Sequence, residues 1–113
     1  MIASEMNSVF HCFIREIGKH LRNGGVSISD DLVKRIVKTR LGNTKVVEVK
    51  MSGMVLQEIE TMSTTKYKPY DTDLTEHDHK HGLISMNELI IKMTSWASTD
   101  LNLELVSPNE KKL

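Results

Sequence analysis

Three histidines alternate with an acid and a lysine in His77-Asp78-His79-Lys80-His81, and three more acids, Asp71, Asp73 and Glu76, precede them. Imidazole and carboxylate are ligands that zinc and nickel accept. On an extended strand the i, i+2, i+4 spacing sets all three rings on one face, as a metal-dependent nuclease would require. The neighbouring Thr75, Glu76 and Gly82 read instead as loop, and no cysteine or helical His-Glu-x-x-His pattern stands nearby. A solvated loop is the expected setting, with a metal site on His77, His79 and His81 as the minority alternative. The acids resemble part of a calcium loop but lack its sixth-position Gly and terminal Glu. Cys12 lies in an apolar helical pattern and reads as a small core residue rather than a nucleophile. There is no Walker loop, nucleophile elbow or Gly-rich dinucleotide fingerprint. No catalytic residue and no cofactor is assigned, and the chain is read as non-enzymatic.

The second kind of chemistry is phosphate binding. His11, Arg15, Lys19 and Arg22 follow one another at spacings of four, four and three, which is one stripe of a helix. Lys34 and Lys38 make a second pair four apart, expected to be exposed, with Arg35 and Arg40 beside them. Residues 1–50 hold nine basic and five acidic side chains, a surplus of +4, and the remainder carries −4. A basic half points to a polyanion, it also suits a dimer or an intramolecular pairing of opposite faces, and the plain alternative is two ordinary solvated surfaces.

The elements that position these residues are read from periodicity. Ser4 is expected to cap a helix running to about Arg22, with Met6, Val9, Phe10, Phe13, Ile17 and Leu21 as its apolar face. Asn23-Gly24-Gly25 ends it. Ser29 caps a second helix with Asp30 and Asp31 in its first turn, Leu32, Val33, Ile36, Val37 and Leu41 inside, and Gly42-Asn43 as its stop. The loose Gly24 to Ser27 linker and the absence of a base-reading set argue against a helix-turn-helix. Lys45 to Met51 and Met54 to Thr61 read as a hairpin turning at Gly53, with a helix over Met54–Met62 as the competitor. Pro69 ends any regular element in Lys66 to Tyr70, and 71–83 is expected to be a mobile polar loop. Ser85-Met86-Asn87-Glu88 has the capping-box pattern and opens a helix whose apolar face is Met86, Leu89, Ile90, Met93 and Ala97, with Trp96 at its edge. Leu101, Leu103 and Leu105 form a short edge strand or extended arm, and 107–113 is expected to fray. The fold class is α+β: two N-terminal helices, a central β-hairpin, a long polar loop and a C-terminal helix with a short extended tail, in one domain over 1–113.

With 39% hydrophobic and 27% charged residues the composition is that of an ordinary globular domain. Aromatics are only 4%, so seven Met residues share the packing, and such adaptable cores and interfaces favour association with a second chain. No apolar run approaches the roughly 20 residues that span a bilayer, and a lone cysteine gives no sign of an oxidising compartment. A cytoplasmic protein with no membrane partner is expected.

Four stretches carry a resemblance. They are Asn7-Ser8-Val9-Phe10-His11-Cys12-Phe13-Ile14-Arg15-Glu16-Ile17, the basic helix Asp31 to Leu41, Met62-Ser63-Thr64-Thr65-Lys66-Tyr67, and Met86-Asn87-Glu88-Leu89 through Trp96-Ala97 with Leu101 to Leu105 and Pro108 behind. Together they resemble the lambda Orf (NinB) group of phage recombination proteins. The chain departs from that pattern by starting almost at Asn7, without the family's preceding strands. It also has Met6 where a Gln is expected, and Lys68 to Leu83 look like an insertion. The resemblance implies a homodimeric mediator, in a bacterial host cell, that binds single-stranded DNA, engages the host single-strand-binding protein and helps load recombinase. Single-strand binders join a basic groove to aromatic platforms. Here Arg15, Lys19, Arg22, Lys34, Lys38, Arg40 and Lys45 would contact phosphates, and Tyr67 or Tyr70 would stack, with Trp96 a third platform. The alternative is a protein-interaction module or inhibitor acting on a host complex.

Overall fold

Phe10, Ile17, Val37, Leu89, Met93 and Ala97 expose no surface, and the three helices that carry them pack on one another. The computed structural model describes residues 3–107. In chain order these form α1 (Ala3–Asn23), α2 (Asp30–Leu41), β1 (Thr44–Met51), β2 (Met54–Thr61), 3-10 turns at Thr64–Lys66 and Asp71–Asp73, α3 (Glu76–Lys80) and α4 (Met86–Asp100). An extended arm follows over 102–107. The architecture is α+β, with one two-stranded antiparallel sheet between the helices.

The apolar spacing of α1 places Met6, Val9, Phe10, Phe13, Ile14 and Ile17 in the core. Ser4 is not its cap: it lies inside the first turn, and its carbonyl accepts from Ser8 Oγ at 3.0 Å. The helix ends where Val26 N–H returns to the Leu21 carbonyl at 3.0 Å and Gly25 takes φ +93°. Arg22 then bridges to α2, donating to the Ile28 carbonyl and to Asp30 Oδ1 at 2.8 Å.

Ser29 caps α2 by accepting from Leu32 N–H. Only Val33 and Val37 of its apolar positions are fully buried, and Leu32 is 45% exposed. The helix therefore rests on α1 and α4 by a narrower stripe than its periodicity implies. Its end is fixed by a buried node on Asn43. That residue's backbone N–H donates to Tyr67 Oη at 2.9 Å and its carbonyl accepts from Met62 N–H at 2.9 Å. Its side chain accepts from Ile84 N–H at 2.8 Å and donates to the Ile84 carbonyl at 2.9 Å. One amide thus ties the end of α2, the base of the hairpin, the Tyr67 segment and the entry to α4. Gly42 precedes it because a Cβ there would stand 2.5 Å from Tyr67 Oη and 3.0 Å from the Lys38 carbonyl.

Residues 71–83 hold more regular structure than a polar loop. Thr75 and Asp78 form a reciprocal capping box on α3. Lys68 Nζ reaches Asp78 Oδ2 at 2.7 Å, and Ser85 Oγ donates to Asp71 Oδ1 at 2.5 Å while capping α4 through Glu88 N–H. Two further backbone bonds, Met86 N–H to the Lys68 carbonyl and Asn87 N–H to the Pro69 carbonyl, hold the segment against α4. The sequence conceals this because its contacts run between side chains ten to fourteen residues apart.

The final leucines do not form a strand. Leu105 is buried, Leu103 N–H bonds to the Ala97 carbonyl, and His20 Nε2 lies 2.8 Å from the Leu101 carbonyl, so an extended arm folds back across α1 and α4. Of the tail expected to fray, only Ser107 falls within the described residues; Pro108 to Leu113 lie outside them.

Candidate interaction surface

The residues assigned to phosphate contact differ in exposure and in the partners they meet. Arg15, Lys19 and Arg40 are exposed. Arg22 is engaged with Asp30 and the Ile28 carbonyl. Lys45 pairs with Glu60 across the hairpin at 3.2 Å. Lys34 Nζ lies 3.2 Å from His11 Nε2, while His11 Nδ1 lies 2.8 Å from the Asn7 carbonyl. His11 thus lies between a backbone carbonyl and the Lys34 ammonium. Lys38 is the clear correction: it is 7% exposed, not a member of an exposed pair. Burial first, and the charge of Lys34 second, hold its ammonium below the ordinary lysine range.

The aromatic platforms divide. Tyr67 is 7% exposed and its hydroxyl is committed to Asn43, so it is a core residue and presents no face for stacking. Burial pushes its phenol up, partly offset by the Asn43 N–H bond. Tyr70 is 37% exposed and Trp96 is half-buried against the core.

The histidines are displaced from the geometry a strand would provide. His77 and His79 lie in α3 and His81 caps its end, so His77 and His81 stack edge to face at 4.3 Å while His79 is turned away by the helical repeat. Among the described residues no three His, Cys, Asp or Glu side chains converge on a point that could hold a metal ion. Asp78 between them is held down to about 2, chiefly by its bond from Lys68 and next by Thr75 N–H.

Concave sites differ in size: an open recess over Glu76, His77, His79 and Lys80 holds about 640 Å³, and one at the hairpin base, lined by Asn43, Lys45, Glu60, Met62 and Lys66 among others, about 460 Å³. A recess beside Asn7, whose buried Oδ1 meets no protein donor, holds about 220 Å³. Small-molecule sites run from roughly 300 to 1,000 Å³, a range that the two larger recesses enter and this one does not.

The surface that sequence reasoning passed over is the hairpin itself. Val46, Val49, Met51, Met54, Val55, Leu56 and Ile59 are 41% to 62% exposed. Val47 and Thr61 alone among the sixteen strand residues reach even partial burial. Ser52 and Gly53, at φ +45° and +81°, form the two-residue turn whose twist suits a hairpin, and Met51 faces Met54 beside it. That register sets Val47, Val49, Met51, Met54 and Leu56 on one face and Val46, Val55 and Ile59 on the other. At about 3.3 Å per residue each strand extends roughly 26 Å. A signal for this was present in the neighbouring pairs Val46-Val47 and Val55-Leu56. An apolar residue on each side of a two-stranded ribbon cannot all turn to one core.

No helix is long and apolar enough to cross a membrane among the described residues. No protein-family model, no curated protein and no solved structure matches this chain.

Proposed function

We propose that this chain is a non-enzymatic interaction module that binds another polypeptide through the β1–β2 hairpin, in the cytoplasm of a bacterial host. The observation that carries this is the set of seven large apolar side chains on a ribbon that the rest of the chain leaves in water. Exposed apolar patches of this kind mark association surfaces, because their burial is favourable at roughly 25 cal/mol per Å². The outer edge of β1, which has no strand beside it, adds main-chain donors and acceptors, the basis of recognition by strand addition.

The test is capture by the tagged full-length chain from nuclease-treated host lysate that also holds an epitope-marked second copy. A Val49→Lys/Leu56→Lys variant is the control, checked for folding by its far-UV spectrum and melting curve. Captured polypeptides are identified, and the wild-type chain is expected to retain at least one that the variant loses. If no polypeptide, host-encoded or copy, depends on those two residues, the proposal fails.

Single-stranded DNA binding is the second reading, favoured by the exposure of Arg15, Lys19 and Arg40 and by the Orf-like segments. It carries with it the host single-strand-binding protein and recombinase as partners. Three free phosphate contacts correspond to a log–log salt slope of about −2 on single strands. Fluorescence anisotropy with single-stranded and duplex oligonucleotides measures that slope. Equal, salt-insensitive signals for both would eliminate this reading.

A further inference from the structure

We infer that the occupant of the hairpin is a second copy of this chain, joined through the outer edge of β1 in an antiparallel, two-fold arrangement that makes one four-stranded sheet. This rests on the interaction reading above and names its partner. A two-stranded ribbon is marginal in water, and three or more strands are needed for independent stability. Two copies supply four strands of equal length.

Charge selects the edge and the register. β2 carries Glu58 and Glu60 and no base, so no alignment of β2 with its copy pairs opposite charges, and α2 packs beside it. β1 carries Glu48 and Lys50. Because Met51 and Met54 flank the two-residue turn, they exchange both ladder bonds, and bonding then alternates along the strand. The outward N–H and C=O groups of β1 are thus those of Thr44, Val46, Glu48 and Lys50. A two-fold antiparallel ladder must join these to one another, which leaves only registers whose paired numbers sum to an even value. Centring on Glu48 opposes two carboxylates, and centring on Lys45 or Lys50 opposes two ammonium groups. Centring on Val46 or Val47 pairs no opposite charges. Centring on Val49 sets Glu48 against the copy's Lys50 twice, Val49 against Val49, and Val47 against Met51. Glu48 Oε1 already accepts from Gln57 at 3.3 Å, and a carboxylate has capacity for both partners. The result is self-complementary, as a two-fold interface demands. Three acids against two lysines on the ribbon also make a nucleic acid an unsuitable occupant of it.

Analytical ultracentrifugation and cysteine cross-linking test this on the full chain. The wild-type protein is expected to sediment at twice its 12.8 kDa chain mass at micromolar concentration. In a Cys12→Ser background, Val49→Cys is expected to form an intermolecular disulfide under mild oxidation, because opposed non-hydrogen-bonded residues lie about 4.5 Å apart between Cα atoms. Val47→Cys and Leu56→Cys are expected to remain uncoupled. Glu48→Lys is expected to weaken self-association about tenfold by opposing like charges, and Glu48→Lys/Lys50→Glu to restore it. A monomer at all concentrations, a dimer indifferent to Val49→Lys, or cross-linking at position 47 instead of 49 would each overturn the inference. Hairpin-dependent capture of a host protein by a monomeric chain would sink the self-pairing while leaving the interaction module standing. Loss of both removes the interaction reading as well.

Discussion

Lys38 is costly where it stands. Its stem is buried, its charge is penalised by that burial and by Lys34, and its ammonium is held below 10.5. A group that binds its proton less firmly when folded makes stability rise with pH between the folded value and the unfolded one. Lys38→Met keeps the packing and removes the charge, so it is expected to raise Tm by about 3–5 °C and to flatten the alkaline limb of the stability curve. A Tm that falls would show that the ammonium is adequately hydrated. Asp78 works in the opposite direction. Its carboxyl, held to about 2 by Lys68 first and Thr75 next, contributes stability that is complete above the ordinary 3.8 and lost as pH falls from there toward 2. Amide exchange over 68–86 is expected to accelerate in that window in the wild type. In Lys68→Met the folded value rises toward the ordinary 3.8, so the acid response should shrink, and an undiminished response would assign it to another group.

At the level of elements, the decisive junction is the end of α2. The periodicity of α2 and the glycine after it mark where the helix stops, yet the reason for that glycine lies twenty-five residues on, in the Tyr67 hydroxyl that occupies the space of a Cβ. Gly42→Ala forces Tyr67 away from Asn43 and leaves the Asn43 N–H, buried with its residue, without its acceptor. The cost of such overpacking is about 1–3 kcal/mol, measurable by urea denaturation with an unchanged m-value. A smaller loss would mean that the Tyr67 ring moves freely. The other junction, at Ser85, is more legible. Its cap and the capping-box spacing identify the start of α4, although Glu88 serves there through its backbone N–H. What spacing alone does not disclose is that Ser85 also fastens Asp71, and through it the 71–83 segment.

Across the whole molecule, apolar residues are divided between a three-helix core and a ribbon that the core does not cover. The core accounts for stability of a single chain, and the ribbon is the surface we propose for association. If two copies share a four-stranded sheet, stability becomes concentration-dependent by mass action. The Tm of the wild type is expected to climb by several degrees over a hundredfold rise in concentration, whereas that of Val49→Lys stays constant. Identical slopes for the two would place the linkage outside the hairpin. The basic half of the chain is likewise reassigned at this scale. Arg22 and Lys45 have acidic partners in Asp30 and Glu60 and Lys34 lies beside His11, so only Arg15, Lys19 and Arg40 of the proposed phosphate contacts are exposed without such a partner.

The positions of α1, α2 and α4, the hairpin and its turn, the Ser29 and Ser85 caps and most core residues were written in local periodicity. Each depends on neighbours within one helical turn or one strand pair. Tertiary structure alone decided that Tyr67 is a structural hydroxyl, that Lys38 is buried, that 71–83 is tied to α4, and that the hairpin's apolar faces remain in water. Those outcomes depend on which distant side chain reaches a given point in space, and on whether any element is left to cover a face. Residue types establish that a side chain is able to bind, pack or pair. Only the packed chain determines which of these it does.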